Sequence, residues 1–307
     1  MKNTINFYYN IFLDELIKKD NCYYFYYGGD EYYFVPLNRP YDDVQSIYKL
    51  NLEMKKRRCL VHELVLNKDK SIITIVNGIS YVLIKLCKYK NDKVFLNDIN
   101  YIQNMTANIE CDKSLVRNDW IKLWSEKIDY YEYQISQVGK KYPLLCDSLS
   151  YFIGMGENAI SYLVNNLDSK TNVNLVVSHK RIYQERGSLN FYDPLNFVVD
   201  SRVRDVAEFI KETFYNKTLN LYDLKSYFNM ANLNKNEYIL LLGRLLFPTY
   251  YFDIYDDIIN KGKSEELVIN IIDRTDEYES LLNTIYKFIL YEKKARLEPI
   301  EWLQDKN

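Results

Sequence analysis

Residues 178–210 read Ser-His-Lys-Arg-Ile-Tyr-Gln-Glu-Arg-Gly-Ser-Leu-Asn-Phe-Tyr-Asp-Pro-Leu-Asn-Phe-Val-Val-Asp-Ser-Arg-Val-Arg-Asp-Val-Ala-Glu-Phe-Ile. An apolar run at 173–177 precedes this stretch and predicts a strand that leads into His179. Asp193 follows in a loop. A helix is then expected, with Asp205 in its first turn, where the helix dipole favours a negative charge. The stretch therefore predicts a strand, a polar loop and a helix in close succession.

The composition is that of a globular protein and excludes several classes. The chain has 307 residues, of which 48% are hydrophobic and 27% charged, enough for one large or two modest domains. The net charge of −2 gives no general attraction to nucleic acid or anionic membranes. No apolar run has the length of a membrane span or the pattern of a signal peptide. We therefore predict neither nucleic acid nor membrane as a partner.

Cysteine and histidine usage argues against metal centres. The five cysteines are widely separated and contain no Cys-x-x-Cys pair, which indicates a reducing compartment and unpaired thiols. Only two histidines, His62 and His179, occur in the chain, so a histidine-based zinc site is not expected.

Strand and helix patterns divide the chain into two predicted lobes. Strand-like runs joined by glycine-containing turns predict two β-hairpins, 22–27 with 31–35 and 71–76 with 79–86. Helical spacing of apolar residues predicts a helix over 41–58 between the hairpins. The polar stretch 88–98 is the expected hinge. The predicted domains are an N-terminal lobe, residues 1–90, and a mainly helical C-terminal lobe, residues 91–307. Helices of the C-terminal lobe are predicted over 113–138, 149–166, 203–215, 221–230, 235–247, 264–273 and 275–295.

This order of elements is similar to that of kinase-like phosphotransferases, in which a catalytic Asp lies two residues after the loop His. Arg181 occupies that position here. Arginine stays protonated at neutral pH and cannot act as a general base. The position that would carry a metal-binding Asn holds Arg186. Cations in this loop would repel Mg²⁺, although Lys180, Arg181 and Arg186 together could bind an anion.

The parts that hold phosphates are also missing from the expected places. Kinase-like enzymes use a strand Lys, its Glu partner and a Gly-rich loop. The first hairpin has no Lys, and Gly28-Gly29 forms only a tight turn. Lys85 lies on the second hairpin and is a candidate substitute or a surface residue. Glu53 has no phosphate-linked role without the strand Lys.

The retained loop positions are interpreted as structural. Asp193 stands in the place of the metal-binding Asp, but a single carboxylate holds Mg²⁺ poorly, so we interpret it as a turn-forming residue. His179 is expected to pack under the loop and bond backbone or Asp205, and Asp205 to hold the loop. We regard His179, Arg181, Asp193 and Asp205 as degenerate catalytic-loop positions. No catalytic residue or metal ligand is predicted, and the cofactor-binding residues are left open.

Three motifs carry a more specific resemblance: Trp-Ile-Lys-Leu-Trp at 120–124, Gly-Met-Gly-Glu-Asn-Ala-Ile-Ser-Tyr-Leu-Val at 154–164 and Arg-Asp-Val-Ala-Glu-Phe-Ile at 204–210. They resemble those of spore-coat-associated kinase-like proteins of the YutH/CotS type from endospore-forming Firmicutes, whose YutH-like branch also has Ser-His-x-Arg. The resemblance spans about residues 25–211. It implies an α+β, two-lobed protein-kinase-like fold of the aminoglycoside phosphotransferase type, with a small β-containing N-lobe and a large helical C-lobe.

The resemblance further implies synthesis in the mother-cell cytoplasm, incorporation into the spore coat and other coat proteins as partners. The residues of the loop and the resemblance together give three candidate functions. The first is a pseudokinase without cofactor, acting as a structural or interaction component of the coat. The second is a divergent ATP- and Mg²⁺-dependent phosphotransferase, acting on a small molecule or a protein, that uses Asp193. The third is a binder of an anionic ligand.

Tyrosine stands out in the composition, with 31 residues. Its co-occurrence with much Asn, Lys and Ile suggests an AT-rich genome, and exposed tyrosines would also supply contact area for an assembly. The sequence gives no prediction of the oligomeric state.

Overall fold

The structure, a computed structural model, describes residues 1–88, 91–168, 173–185 and 187–304. Two compact units are present. The first contains Met1–Val116 and Leu175–Asp200, and the second contains Arg117–Asn174 and Ser201–Asn307. The strand–loop segment around His179 thus belongs to the same unit as the N-terminal hairpins. The division expected near residue 90 stays a prediction.

An antiparallel sheet forms the centre of the first unit. Its strands follow the order β1-β2-β3-β6-β4, and β5 also pairs with β6. The strands are β1 Ile17–Lys19, β2 Cys22–Tyr27, β3 Asp30–Pro36, β4 Glu63–Val65, β5 Ile73–Val76 and β6 Ile79–Lys85. The antiparallel pairing of β2 with β3 and of β5 with β6 confirms both predicted hairpins. In their turns, Gly28, Gly29 and Gly78 adopt the positive φ angles that tight turns require.

The helices of the first unit include three that the sequence analysis did not predict. They are α1 Lys2–Tyr9, α2 Tyr41–Lys56, α3 Leu96–Met105 and α6 Gly187–Phe191. Helix α1, one of these three, covers one face of the sheet. The cluster beneath it consists of Ile5, Ile11, Leu13, Phe25, Phe34, Tyr81 and Leu83. Strand β7, Leu175–His179, pairs with β8, Phe197–Ser201, and the loop between them carries the candidate site.

The second unit is helical. Its helices are α4 Trp120–Val138, α5 Pro143–Asn166, α7 Val203–Tyr215, α8 Leu221–Ala231, α9 Lys235–Leu246, α10 Thr249–Lys261, α11 Ile269–Ile272, α12 Thr275–Tyr291 and α13 Glu301–Gln304. Pro143 begins α5, because proline fits the first helical position. Helix α10, which follows Pro248, was not predicted. In the described ranges, every helix is too short or too polar to span a lipid bilayer.

A buried ion pair connects α7 and α9 at the centre of this unit. Nε and Nη2 of Arg244 donate to Oε1 of Glu208 at 3.0 and 2.9 Å. The two side chains are 3% and 5% exposed. The guanidinium also lies over the ring of Trp120, with 5.0 Å between Cζ and the ring centroid. The first motif tryptophan therefore has a packing role.

One turn along α7, a second buried cation caps α9. Nζ of Lys211 donates to the carbonyls of Arg244 and Phe247 at 2.6 and 2.7 Å and to Oγ1 of Thr249 at 2.9 Å. The last carbonyls of a helix have no partner within the helix, so this ammonium satisfies groups that would otherwise be buried without one. Helix α7 thus fixes the end of α9 and the start of α10.

Tyrosine serves the core as well as the surface. Tyr131, for example, stacks on Phe252 with 4.5 Å between ring centroids. Fully buried tyrosines are Tyr131, Tyr192, Tyr227, Tyr251 and Tyr255. Strongly exposed ones are Tyr26, Tyr41, Tyr133, Tyr222 and Tyr291. The high tyrosine content is therefore only partly available for contacts with other proteins.

Replacing Arg244 should destabilise the second unit strongly. Arg244→Met keeps much of the side-chain volume but leaves Glu208 buried without its cation, at an expected cost of about 3–5 kcal/mol. Lys225→Met is the matched control, because Lys225 pairs with Glu292 at the surface and its loss should cost under about 1 kcal/mol. Urea unfolding followed by circular dichroism measures both. Equal losses in the two variants would contradict a central role for the buried pair.

Candidate functional site

His179 lies at the end of β7 and is fully buried. Its Nε2 donates to the carbonyl of Phe191 at 2.7 Å, and its ring stacks on that phenylalanine with 4.3 Å between centroids. The ring of His179 also makes a T-shaped contact with the ring of Phe197, with 5.3 Å between ring centroids. The histidine holds the two ends of the loop together through a backbone bond and aromatic packing.

Arg181 stands where an active kinase-like enzyme would carry its base. Its Nη1 donates to the carbonyl of Lys180 at 2.7 Å. Nδ2 of Asn196 donates to the carbonyl of Arg181 at 2.9 Å, and the amide of Lys180 donates to the carbonyl of Asn196 at 2.8 Å. Asn196 therefore ties the two sides of the loop together, and the central position holds a permanent cation. Arg186, the third cation of the predicted anion site, lies outside the described residues.

Asp193 acts as the cap of a short turn. Its Oδ1 accepts a hydrogen bond from the amide of Leu195 at 2.8 Å, at the start of the turn Pro194–Asn196. Burial raises the pKa of its carboxyl to about 6, although the charges of Arg39, Lys180 and His179 act in the opposite direction. The charged neighbours of this carboxylate are cationic. That environment suits a structural acid better than a metal ligand.

Arg39 is the residue of this site that the sequence analysis missed. Its Nη1 donates to the carbonyls of Leu195 and Phe197 at 3.1 and 2.6 Å, and Nη2 pairs with Asp43 at 3.3 Å. The side chain is 0% exposed. Arg39 comes from the turn between β3 and α2, so it fastens the Asp193 turn to the start of that helix. An isolated Arg before a proline carries no sequence signal for such a contact.

Lys85 and Glu53, the candidates for a phosphate-binding pair, have other partners. Nζ of Lys85 lies 2.5 Å from Oδ2 of Asp30, which raises the pKa of the lysine. Glu53 pairs within its own helix with Lys56 at 3.1 Å and Arg57 at 3.8 Å. The described ion pairs thus do not join Lys85 to Glu53.

The loop is braced against the stretch that follows β6. The amide of Gly187 donates to the carbonyl of Asp92 at 2.9 Å, and Nε2 of Gln184 donates to the carbonyl of Val94 at 3.2 Å. A Cβ on Gly187 would lie 2.7 Å from backbone atoms of Lys93, so only glycine permits this approach. The start of α6 therefore packs backbone to backbone on the expected hinge.

His62 connects the same loop to β4. Its amide donates to the carbonyl of Tyr192 at 3.0 Å, and its Nδ1 accepts from the amide of Cys87 at 3.0 Å. Burial lowers the pKa of His62 to about 4, so the ring is neutral at physiological pH. The segment 187–192 thus bonds the stretch after β6 at its start and the residue before β4 at its end.

The remaining predicted positions lie in the second unit. Arg204 and Asp205 are buried in the first turn of α7, while His179, Arg181 and Asp193 belong to the first unit. Within the described residues, no group of three or more His, Cys, Asp or Glu side chains could hold a metal ion.

Comparison with known proteins gives a family and a fold. A model of the family described as "Spore coat putative kinase YutH" matches residues 2–285. A curated relative, the endospore coat-associated protein YutH of Bacillus subtilis strain 168, is 30% identical over 207 residues. That alignment covers 60% of this chain and 61% of the relative, so the matched part spans under two thirds of its length.

Solved structures of phosphotransferases share the fold at low sequence identity. An aminoglycoside phosphotransferase from Alicyclobacillus acidocaldarius matches with a TM-score of 0.63 and 9% identity, over 92% of this chain and 94% of that one. A spectinomycin phosphotransferase bound to ADP and spectinomycin gives 0.58 at 9% identity, over 86% and 89%. Amicoumacin kinase gives 0.52 at 12% identity, over 98% and 95%. The two-lobed, aminoglycoside-phosphotransferase-type fold predicted from the sequence is confirmed.

Asp193 should make stability depend on pH with a negative slope. Its pKa rises from 3.8 to about 6 on folding, so the folded protein holds the proton more tightly and loses stability as pH rises through about 6. Asp193→Asn keeps the acceptor for the Leu195 amide. The free energy of unfolding of this variant minus that of wild type should therefore increase by roughly 1–3 kcal/mol from pH 4.5 to pH 7.5.

Asp112→Asn is the matched control for this pH series. Hydrogen bonds with Ser46 and then Lys49 lower the pKa of the exposed Asp112, so its carboxyl is ionised over the whole range. The difference between this variant and wild type should stay constant from pH 4.5 to 7.5. Urea unfolding at several pH values measures both series. A flat difference for Asp193→Asn would show that Asp193 titrates like an ordinary surface carboxyl.

Proposed function

Because the chain belongs to the family described as "Spore coat putative kinase YutH", we propose that it is a catalytically degenerate kinase-like protein that acts as a structural or interaction component of the spore coat. The curated relative is itself named as an endospore coat-associated protein. The fold supplies the framework of a phosphotransferase, but fold alone does not determine function. Whether the protein can catalyse phosphoryl transfer therefore depends on the residues of the loop between β7 and β8.

Arg181 is the observation that carries the proposal. Proton transfer from a hydroxyl nucleophile needs an acceptor, and a guanidinium has only donors. The loop positions that remain serve structure instead. His179 bonds the carbonyl of Phe191, Asp193 caps a turn, and Arg39 holds the carbonyls of that turn. Each of these interactions stabilises the shape of the loop without a substrate.

The phosphate-binding side supports the same proposal. Catalysis of phosphoryl transfer is mostly positioning and neutralisation of charge. Strand β3 contains no Lys or Arg, and Lys85 is engaged with Asp30. Gly28 and Gly29 form only the two-residue turn of a hairpin. The protein would have to bind a polyphosphate with none of the usual contacts from this sheet.

A divergent phosphotransferase is the alternative, and one observation favours it. Asp193 has kept its carboxylate at the position of a metal-binding acid. Under this alternative, Mg²⁺ would have to bind beside Arg39 and Lys180, and the metal would compete with the amide of Leu195. Nucleotide binding separates the two proposals.

ATP with Mg²⁺ should leave the melting temperature of the protein unchanged. A ligand present at 100 times its Kd stabilises a folded protein by about 2.7 kcal/mol, which a thermal-shift assay detects easily. The expected result at millimolar nucleotide is no detectable shift. A rise in Tm for wild type that disappears in Asp193→Asn would contradict the pseudokinase proposal and support the phosphotransferase. An aminoglycoside phosphotransferase of the same fold serves as the positive control.

A fluorescent fusion of the chain should collect at the surface of the developing spore. This follows if the protein is made in the mother-cell cytoplasm and joins other coat proteins. Fluorescence microscopy during sporulation measures it, and fluorescent protein alone is the control. Diffuse fluorescence throughout the mother cell at all stages would contradict a coat role, whether or not the protein binds nucleotide.

A further inference from the structure

Strand β1, Ile17–Lys19, leaves one edge of the sheet open. It is the terminal strand of the sheet order and pairs with β2 through Ile17–Tyr24 and Lys19–Cys22. All three of its residues are exposed. Within the described ranges, no strand pairs with its other side. An edge strand of this kind presents backbone N–H and C=O groups that can pair with a strand of another chain.

The hairpin geometry determines which backbone groups face outward. Lys19 and Cys22 flank a two-residue turn, so they exchange hydrogen bonds with each other, and Ile17 and Tyr24 form the next hydrogen-bonded pair. The backbone groups of residues 16 and 18 therefore point away from β2. A second antiparallel strand would have to pair with these two residues.

The charges around β1 are complementary to a second copy of the same strand. The sequence is Asp-Glu-Leu-Ile-Lys-Lys from 14 to 19, acidic first and basic last. If Lys18 pairs with Leu16 of an antiparallel copy, Ile17 faces Ile17 of the copy and Lys19 faces Glu15 of the copy. Both Glu15 and Lys19 are exposed, and neither has an ion pair within the described residues. Lysines alone on an edge would repel a copy, but this pattern attracts one.

Apolar side chains on one sheet face support the same pairing. Ile17 lies opposite Tyr24, Tyr24 stacks on Tyr33 with 4.2 Å between ring centroids, and Tyr33 lies opposite Ile84. This row ends at the open edge with Ile17, which is 54% exposed. Ile17 of a second copy would continue the row across the junction and cover that side chain.

We propose that two copies of this chain associate through antiparallel pairing of their β1 strands, with Lys18 paired to Leu16 and Lys19 facing Glu15 of the other copy. The contact is two-fold symmetric and uses the same surface on both chains, so it closes at a dimer. Because β1 is short, the contact falls below the size of about 1,200 Å² that is typical of stable complexes. The dimer is therefore weak and forms as concentration rises. The proposed dimer depends only on the sheet edge, and it does not depend on whether the protein transfers phosphoryl groups.

Charge exchange at the junction tests the register. Lys19→Glu alone places two glutamates opposite each other, and Glu15→Lys alone places two lysines opposite each other, so each variant should remain monomeric. A mixture of the two variants restores opposite charges at both positions and should associate at least as well as wild type. Sedimentation velocity of the full chain, from low to high micromolar concentration, measures all four samples.

Lys113→Glu is the matched control, because it makes the same charge change at an exposed lysine outside the sheet. It should associate like wild type. Thermal melting verifies that the edge variants remain folded. A wild type that stays monomeric at every concentration would overturn the proposal. So would single variants that associate like wild type, or a mixture that stays monomeric.

Discussion

A cation that is buried in a protein needs hydrogen-bond partners from the protein itself, and each unit is organised around this requirement. In the first unit the cation is Arg39, which donates to the carbonyls of Leu195 and Phe197. In the second unit Arg244 bonds Glu208, and Lys211 bonds the carbonyls at the end of α9. Removing water from these charges costs several kcal/mol, which is recovered only if their geometry is kept. The loops and helix ends that supply the acceptors are therefore fixed along with the cations.

Under the proposed function, the candidate site would keep the shape of a catalytic loop without its chemistry. In an active phosphotransferase, bound nucleotide and metal help to organise the loop. Here the corresponding contacts come from the protein: a buried histidine to a backbone carbonyl, an asparagine across the loop, an arginine from the preceding turn and a glycine against the stretch after β6. These contacts support the proposal that the loop serves as a scaffold, and they account for the survival of His179 and Asp193 beside Arg181.

The sequence predicts those elements whose signal is local. Gly28-Gly29 and Asn77-Gly78 are strong signals for hairpin turns between strand-like runs, so both hairpins were predictable. Strand β1 is short and mostly charged, and helix α1 mixes polar and aromatic residues, so neither has a clear pattern. The role of Arg39 was not predictable, because its two carbonyl acceptors lie more than 150 residues away in sequence. Likewise, the raised pKa of Asp193 depends on burial that only the folded chain creates. By contrast, the place of Arg181 at the position expected for a catalytic Asp was identifiable from its sequence spacing, two residues after His179.

The stacking of Trp120 and Trp124 beside Arg244 has a spectroscopic consequence. All three tryptophans of the chain, Trp120, Trp124 and Trp302, lie in the second unit. Their fluorescence therefore reports on the helical unit alone, whereas circular dichroism follows both units. A perturbation confined to the loop of the first unit changes the tryptophan signal only if the two units are energetically coupled. The native chain thus carries a built-in optical label for measuring that coupling without any added probe.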